Sequence, residues 1–354
     1  SFYWCFKDYQ RNLMQNKLFI ISNESIFYSQ NSFFCDNLDM KSTPEGLKER
    51  FDISIIARRS KKERAHKINV KNINIYSNIL SFLFSIFRSL KENNSQYLLV
   101  SISPFTFFAC IMLVSFRKKP IVFLRSDGYE EYRSILGFLG PSIYHIMFFI
   151  VSKISRFIGC GEKVLKGKKG HVVSPSQLTE KWFLNNKTAD LNNIKLLYIG
   201  RIRVEKGIFF LLDMMKKIKQ DIVLSVVGME KFSDKKNEQK NINIYEIETS
   251  QEKLINYYDE HNIFVLPSYT EGYPMVLLES LARLRPVIIF EEIKHVIGNK
   301  KGIFVSNRSP EGFLEKIQYI KDNYKTIQEE MKKNNLPLKQ DFLKELENSI
   351  LNRS

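Results

Sequence analysis

Short apolar runs alternate along the chain with longer stretches whose apolar residues recur at helical spacing. In the first half the runs fall at 18–22, 53–57, 97–102 and 121–124, each bounded by polar or turn residues as buried strands are. Helical periodicity fills 77–90 and 104–116 between them. The second half repeats the plan, with strands near 195–199, 222–227, 242–245, 263–266, 287–290 and 302–305, and helices near 207–218, 251–258, 274–284 and 310–323. Such alternation predicts parallel, doubly wound sheets and therefore an α/β fold. The polar stretch 185–193, which has no apolar periodicity, divides the chain into two Rossmann-like domains, 1–185 and 194–325, followed by a charged tail of helical propensity, 326–354.

The stretch 263–286 organises the second half. Ile263 to Leu266 is an apolar run stopped by Pro267, so it reads as a buried strand that ends in a loop. Glu271-Gly272 supplies a turn, and Pro274 suits a first helical position because its fixed φ fits and its missing N–H is not needed there. Leu277, Leu278, Leu281 and Leu284 then form one inward face, and Pro286 closes the helix. Its free first-turn N–H groups point out of the carboxyl end of a strand, which is where an α/β sheet binds anions. Glu271 stands just before that point and Glu279 about one turn inside the helix. Each carboxylate also has a plain explanation: acids near a helix start offset the macrodipole, and Glu279 has Arg283 at i, i+4.

A second informative stretch is 196–207. A strand ends at Gly200, a basic loop carrying Arg201 and Arg203 follows, and Lys206-Gly207 opens the next helix. The glycines and the Ser or Thr of a Walker loop are absent, as is the dinucleotide Gly-x-Gly-x-x-Gly. In the first half, the run ending at Leu124 leads into Arg125-Ser126-Asp127-Gly128, a polar turn that any loop could use but that also sets an acid and a base at a strand end. The first strand departs from the usual plan, because Ile20 to Ser25 contains no glycine.

Hydrophobic content of 44% and charged content of 26% are those of a soluble globular protein, and 354 residues suffice for two domains. The four cysteines lie far apart, so neither a disulfide framework nor a zinc site is signalled, and a reducing, cytoplasmic setting is expected. The chain opens at Ser1 rather than Met, so native residues are expected before it, and no signal peptide is read. A net charge of +16 calls for an anionic partner: nucleic acid, an anionic membrane face or a phosphorylated substrate. The basic residues form short scattered runs, such as 58–64, 163–169 and 294–301, without a nucleic-acid-binding signature. The stretch 134–152 carries no formal charge and is long enough to span a bilayer, but Gly137, Gly140, Pro141, Ser142 and His145 favour packed or membrane-surface helices over a true span. His66, His145, His261 and His295 are isolated, and no cluster has metal-ligand spacing.

Glu-Gly-Tyr-Pro at 271–274, with a second Glu at 279, resembles the Glu-(seven residues)-Glu motif of the retaining glycosyltransferases of the glycogen synthase-like superfamily, family four, or glycosyltransferases group 1. Gly200-Arg201 followed by Lys206-Gly207 is similar to the Gly-Arg and Lys-Gly elements of the same proteins. The resemblance implies a GT-B fold: two Rossmann-like domains facing across a cleft, acceptor on the first, donor on the second, with the C-terminal helix crossing back to the first domain. It implies that Glu271 contacts the donor sugar, that the loop Gly272, Tyr273, Pro274 and Met275 lines the sugar and phosphate, with backbone N–H groups from all but Pro274, and that Glu279 takes the ribose hydroxyls. Arg201 and Lys206, beside Gly200, would grip the diphosphate, and Asp127 with Arg125 would stand beside the reacting sugar. Fixed cations can stabilise the charge growing on a leaving diphosphate without a metal. The implied activity is metal-independent, retaining transfer from a nucleotide-diphosphate sugar, without a cofactor, to a saccharide or lipid-linked acceptor. The setting expected is bacterial lipopolysaccharide or capsule synthesis at the cytoplasmic face of the inner membrane, with an anionic membrane surface and no nucleic acid as partners. A nucleotide-sugar epimerase of related architecture and a basic nucleic-acid-binding protein are the alternatives.

Overall fold

Parallel pairing of short, buried strands builds both halves of the chain in this computed structural model, which describes residues 16–92, 94–218, 221–229 and 240–352. Two units result. One takes the chain as far as Ser174 together with the segment from Asp341, and the other runs Pro175–Gln340.

In the first unit the strands are β1 (Asn16–Ser29), β2 (Ser32–Cys35), β3 (Phe51–Arg59), β4 (His66–Ile68), β5 (Asn72–Tyr76), β6 (Ser95–Val100), β7 (Ile121–Leu124), β8 (Arg156–Gly159) and β9 (Gly170–Val172). The parallel order is β5-β3-β1-β6-β7-β8-β9. The helices are α1 (Leu38–Leu47), α2 (Ile79–Ser89), α3 (Pro104–Ser115), α4 (Gly128–Leu136), α5 (Gly140–Ile154) and α6 (Glu162–Leu165). Ser103 and Thr106 form a reciprocal capping box at the start of α3, with Pro104 in the first turn, which is why that helix begins where the sequence places it.

Several features of this unit differ from the sequence reading. β1 is much longer than 18–22: its outer end leaves the parallel sheet and pairs antiparallel with β2, which pairs in turn with β4. A hairpin thus stands where a glycine-rich loop would follow the first strand, and it needs no glycine. β2, β4 and β5 were too short or too polar to show as apolar runs. α1 is concealed by Pro44 in its interior, although Asn37 caps it by accepting from Asp39 N–H. The uncharged stretch 134–152 is not one rod. Gly137 takes φ +66°, and a Cβ on Gly140 would lie 1.9 Å from Tyr132 O while one on Gly128 would meet the Tyr144 ring, so α4 and α5 fold back as a tight antiparallel hairpin. α5, the longer arm, has 15 residues and reaches only about 22 Å, short of a bilayer core of about 30 Å.

The second unit has β10 (Ile194–Ile199), β11 (Ile222–Met229), β12 (Ile242–Glu246), β13 (Ile263–Leu266), β14 (Val287–Phe290) and β15 (Ile303–Ser306), ordered β12-β11-β10-β13-β14-β15 and parallel throughout. Its helices are α7 (Ile208–Lys217), α8 (Gln251–Glu260), α9 (Met275–Ala282), α10 (Pro310–Asp322) and α11 (Tyr324–Met331). Every residue of β13 and β14 is buried, as strands covered on both faces must be. The order reverses between β10 and β13, the switch point where α/β sheets open a crevice at their carboxyl ends.

The division between units lies at Ser174/Pro175, not in 185–193. Leu178 and Trp182 belong to the second core, and two fully buried arginines tie down the polar stretch that follows. Arg283 donates to the carbonyls of Trp182, Leu184 and Asn185, and Arg285 to that of Lys187. The tail also divides: Tyr324 and Met331 stay in the second core, and only the last helix, α12 (Lys339–Leu351), joins the first unit. There Phe342, Leu346 and Ile350 enter the core, and Arg156 donates to the carbonyls of Ser349 and Ile350. The return of the C-terminal helix is as the sequence led us to expect.

Arg283 forms a bidentate ion pair with Asp259, both bonds 2.9 Å, at about 1–2% side-chain exposure. Removing one partner of a buried pair leaves the other charge uncompensated. Arg283→Ala is expected to cost about 3–5 kcal/mol in urea unfolding; a loss under about 1 kcal/mol would show that the pair does not hold the 175–193 segment.

Candidate active site

The loops that leave β10 and β13 stand on adjacent strands at the switch point, and three features join them. Tyr269 N–H donates to Glu205 O at 3.0 Å. Gly207, at φ +65°, lies so close to Pro267 that a Cβ there would be 2.0 Å from the Pro267 carbonyl oxygen. Lys206 Nζ donates to Glu271 Oε1 at 2.7 Å. Two sequence motifs that are 65 residues apart therefore meet in one ion pair. Glycine follows Lys206 because only glycine fits both the φ and the space.

Glu271 is held further. Ser268 Oγ donates to the same Oε1 at 2.7 Å, and His295 Nε2 lies 2.8 Å from the Glu271 backbone oxygen. Among the described residues both side-chain bonds fall on Oε1, which leaves Oε2 for a ligand hydroxyl. Lys206 likewise has three ammonium protons and gives one to Glu271. It can bind an anion without leaving its partner.

Gly200 closes β10: its N–H donates to Val227 O at 3.0 Å, and its carbonyl abuts Gly228. Arg201 follows and is exposed, with its backbone oxygen fixed by Tyr198 Oη at 2.8 Å. On the other loop Gly272 and Tyr273 lead to α9. Pro274 is the N-cap residue, at ψ 114°, so the helix starts at Met275 and ends at Ala282, shorter at each end than the sequence suggested. No side chain caps it, so its first-turn N–H groups stay open to an anion.

Glu279 does not pair with Arg283, which is turned to Asp259. It is 6% exposed and accepts from Tyr258 Oη at 2.9 Å, the same hydroxyl lying 3.1 Å from Val276 O. Burial pushes its carboxyl up to about 7, against the opposing effect of the Tyr258 hydrogen bond. Protonated, Glu279 can donate to Tyr258, whose own proton then serves Val276 O. Ionised, both acceptors compete for one hydroxyl proton.

In the first unit Arg125 and Asp127 sit together after β7, each already partnered. Arg125 pairs with Asp39 and donates to Asn37 Oδ1, while Asp127 caps α4 and accepts from Lys166 Nζ at 2.5 Å. These pairings support the plain reading of the Asp-Gly turn as well as a functional one. Lys166, Tyr258, His295 and Arg308 are the neighbours that sequence reasoning did not single out as site residues. Lys166 was visible only as part of the run 163–169 and His295 only as an isolated histidine. Arg308, which donates to Pro267 O at 2.9 Å with its guanidinium over Tyr269, gave no signal at all.

Comparison with known proteins agrees with this geometry. Residues 180–336 match the family described as Glycosyl transferases group 1. An uncharacterized glycosyltransferase of Haemophilus influenzae is 26% identical over 290 residues, covering 74% of this chain and 79% of that protein. Among solved structures, HepE of Anabaena in complex with UDP and glucose aligns with TM-score 0.64 at 9% identity, over 95% of this chain and 97% of that one. WaaG, a glycosyltransferase involved in lipopolysaccharide biosynthesis, aligns with TM-score 0.64 at 11% identity, over 94% of this chain and 99% of that one. The fold is GT-B.

Two outcomes test the site's construction. Gly207→Ala should lose at least about 1 kcal/mol in urea unfolding from the left-handed φ alone, and more from the contact with Pro267 O; an unchanged midpoint would mean the loops are not locked there. Glu279 holds a proton in the folded state that the unfolded state, near 4.5, releases. Stability conferred by that proton is therefore present below about 4.5 and is lost as pH rises through about 7, in total about 3 kcal/mol. Unfolding of wild type and Glu279→Gln across that range should differ in slope, and parallel curves would refute the assignment.

Proposed function

We propose that the protein is a glycosyltransferase that takes its sugar from a nucleotide-diphosphate donor and transfers it, with retention of anomeric configuration and without a metal, to a saccharide or lipid-linked acceptor. The observation that carries the reading is the Lys206–Glu271 ion pair joining the two loops, with Glu271 just before α9, whose N-terminus no side chain caps. As the glycosidic bond to the diphosphate breaks, negative charge grows on the leaving phosphate. Lys206, Arg201 and the first-turn N–H groups of α9 stabilise it, while Glu271 faces the sugar through its second oxygen. Glu279 addresses the ribose, and Asp127 and Arg125 are the first unit's candidates for contact with the reacting sugar. That HepE is described with UDP and glucose supports a nucleotide donor, and that WaaG is described as involved in lipopolysaccharide biosynthesis supports a surface polysaccharide role. The net charge of +16 and the uncharged stretch 134–152 are what support a setting at the cytoplasmic face of the membrane.

Each charge-assisted hydrogen bond contributes about 1.5–3 kcal/mol, so Arg201→Ala with Lys206→Ala should cost about two to four decades in transfer rate, less if the losses overlap. A folded double variant with near-normal transfer would remove both residues from the site. Transfer should persist in EDTA, and the product linkage read by NMR should keep the donor configuration. Loss of activity restored by Mg²⁺ or Mn²⁺, or an inverted product, would overturn the corresponding part. Epimer release from donor alone would favour the epimerase instead.

A further inference from the structure

Three neighbouring helices of the first unit present apolar side chains to solvent. α2 packs against α3, and α3 against α5. Phe84 and Phe87 on α2, Phe108 on α3 and Ile146 on α5 are all exposed, and Phe87 meets Phe116, just past α3, edge to face at 5.5 Å. At the tip of the α4–α5 hairpin all residues from Ile135 to Leu139 are exposed, with Phe138 at 86%. Such a surface is not a failed core, because each of these helices buries its other face: Phe82 and Ile86 on α2, Leu113 on α3, Met147 and Val151 on α5.

The charges on these helices are of one sign. None of α2, α3 and α5 contains an acidic residue, and their cations, Arg88 and Lys153, lie near the helix C-termini, with Arg117, Lys118 and Lys119 just after α3. Parallel crossover helices end on the same side of a sheet, so these cations share one edge of the apolar surface. The Arg88 guanidinium lies 4.7 Å from the Phe84 ring centre and Lys153 Nζ 5.6 Å from that of Phe149, so both side chains lie along the apolar face and carry their charges to its margin.

We propose that this face docks on an acidic phospholipid bilayer, the Phe138 tip and the exposed stripes of α2, α3 and α5 entering the interfacial region and the cations at the helix ends binding lipid phosphates. Charge complementarity selects this occupant: the surface is edged mainly by cations, since its acids with exposed side chains, Glu92 and Glu130, are each paired with a cation, Lys17 and Arg133, and it therefore matches an anionic leaflet, whereas a second copy of the chain would bring the same cations against it. The proposal deepens the membrane-face reading above and rests on it for its setting, not for its physics.

Flotation of the full chain with phosphatidylglycerol–phosphatidylcholine vesicles, and with phosphatidylcholine alone, tests it. Wild type should float with the acidic vesicles and less so as salt rises. Phe138→Asp with Ile146→Asp should lower vesicle affinity at least about tenfold, and Arg88→Glu with Lys153→Glu should remove the preference for acidic lipid. All four sites are exposed, and an unchanged thermal midpoint checks that the variants fold. Absent or lipid-independent binding of wild type, variants that bind like wild type, or a dimer that Phe138→Asp abolishes would each overturn the proposal. Nucleoside diphosphate titration separates the two readings, since lost diphosphate binding with intact flotation would count against the donor site alone.

Discussion

The close approach of Gly207 to the Pro267 carbonyl is the constraint on which the second unit's site depends. It clamps the turn after β10 onto the turn after β13, and the polar contacts between the two loops follow from that clamp. With the backbones touching, Glu205 O is within reach of Tyr269 N–H, and Lys206 within reach of Glu271. A side chain at 207 would hold the loops apart and leave a buried half-pair in place of an ion pair. Arg308 supports the same loop from beyond, bonding the Pro267 carbonyl while Glu292 fixes its Nε at 2.7 Å. The site is thus positioned by backbone geometry first and by charge second.

Much of this was legible because the second unit keeps pattern and structure in step. β13 and β14 are buried on both faces, so they show as uninterrupted apolar runs, and Pro267 and Pro286 punctuate them at the correct places. What the sequence concealed is long-range. Nothing in 185–193 is periodic, yet Arg283 and Arg285, about a hundred residues away, bond the carbonyls of Asn185 and Lys187, so a segment that reads as linker is structural. Glu279 shows the same limit. Its i, i+4 partner by spacing is Arg283, but the buried Asp259 offers that guanidinium two bonds in the correct geometry, and Glu279 is left to Tyr258. Local spacing ranks pairs by proximity along a helix, whereas burial ranks them by what the interior must neutralise.

The first unit was legible in plan and less so in detail, for a related reason. Its parallel strands follow the apolar runs, but β1 continues past its buried part into a hairpin with β2, and no residue in 23–29 marks the change from parallel to antiparallel partner. The α4–α5 hairpin was the hardest case. An uncharged stretch has one composition whether it spans a bilayer, packs in a core or lies on a surface, and only Gly137 and Gly140, which allow the backbones to touch, distinguish the outcome. More than half of its apolar residues then remain outside, where composition alone would have placed them in a core or in a span.

The pairing of Lys206 with Glu271 before any ligand arrives also bears on selectivity, in the function proposed above. A bare diphosphate entering the site meets Lys206, Arg201 and the helix N-terminus, but it also meets the Glu271 carboxylate, which repels it and finds no hydroxyl to accept from. An intact donor presents sugar hydroxyls to Glu271 Oε2 and one negative charge fewer to the cations, so the same carboxylate changes from an opposing group to a partner. Transfer reverses the sign again, because it removes the sugar and adds charge to the diphosphate left behind. A site built only of cations would hold that product more tightly than the substrate. The carboxylate 2.7 Å from Lys206 fixes the lysine, and in that function it would also weaken the hold on the product, which is the balance a transferase needs if release is not to limit turnover.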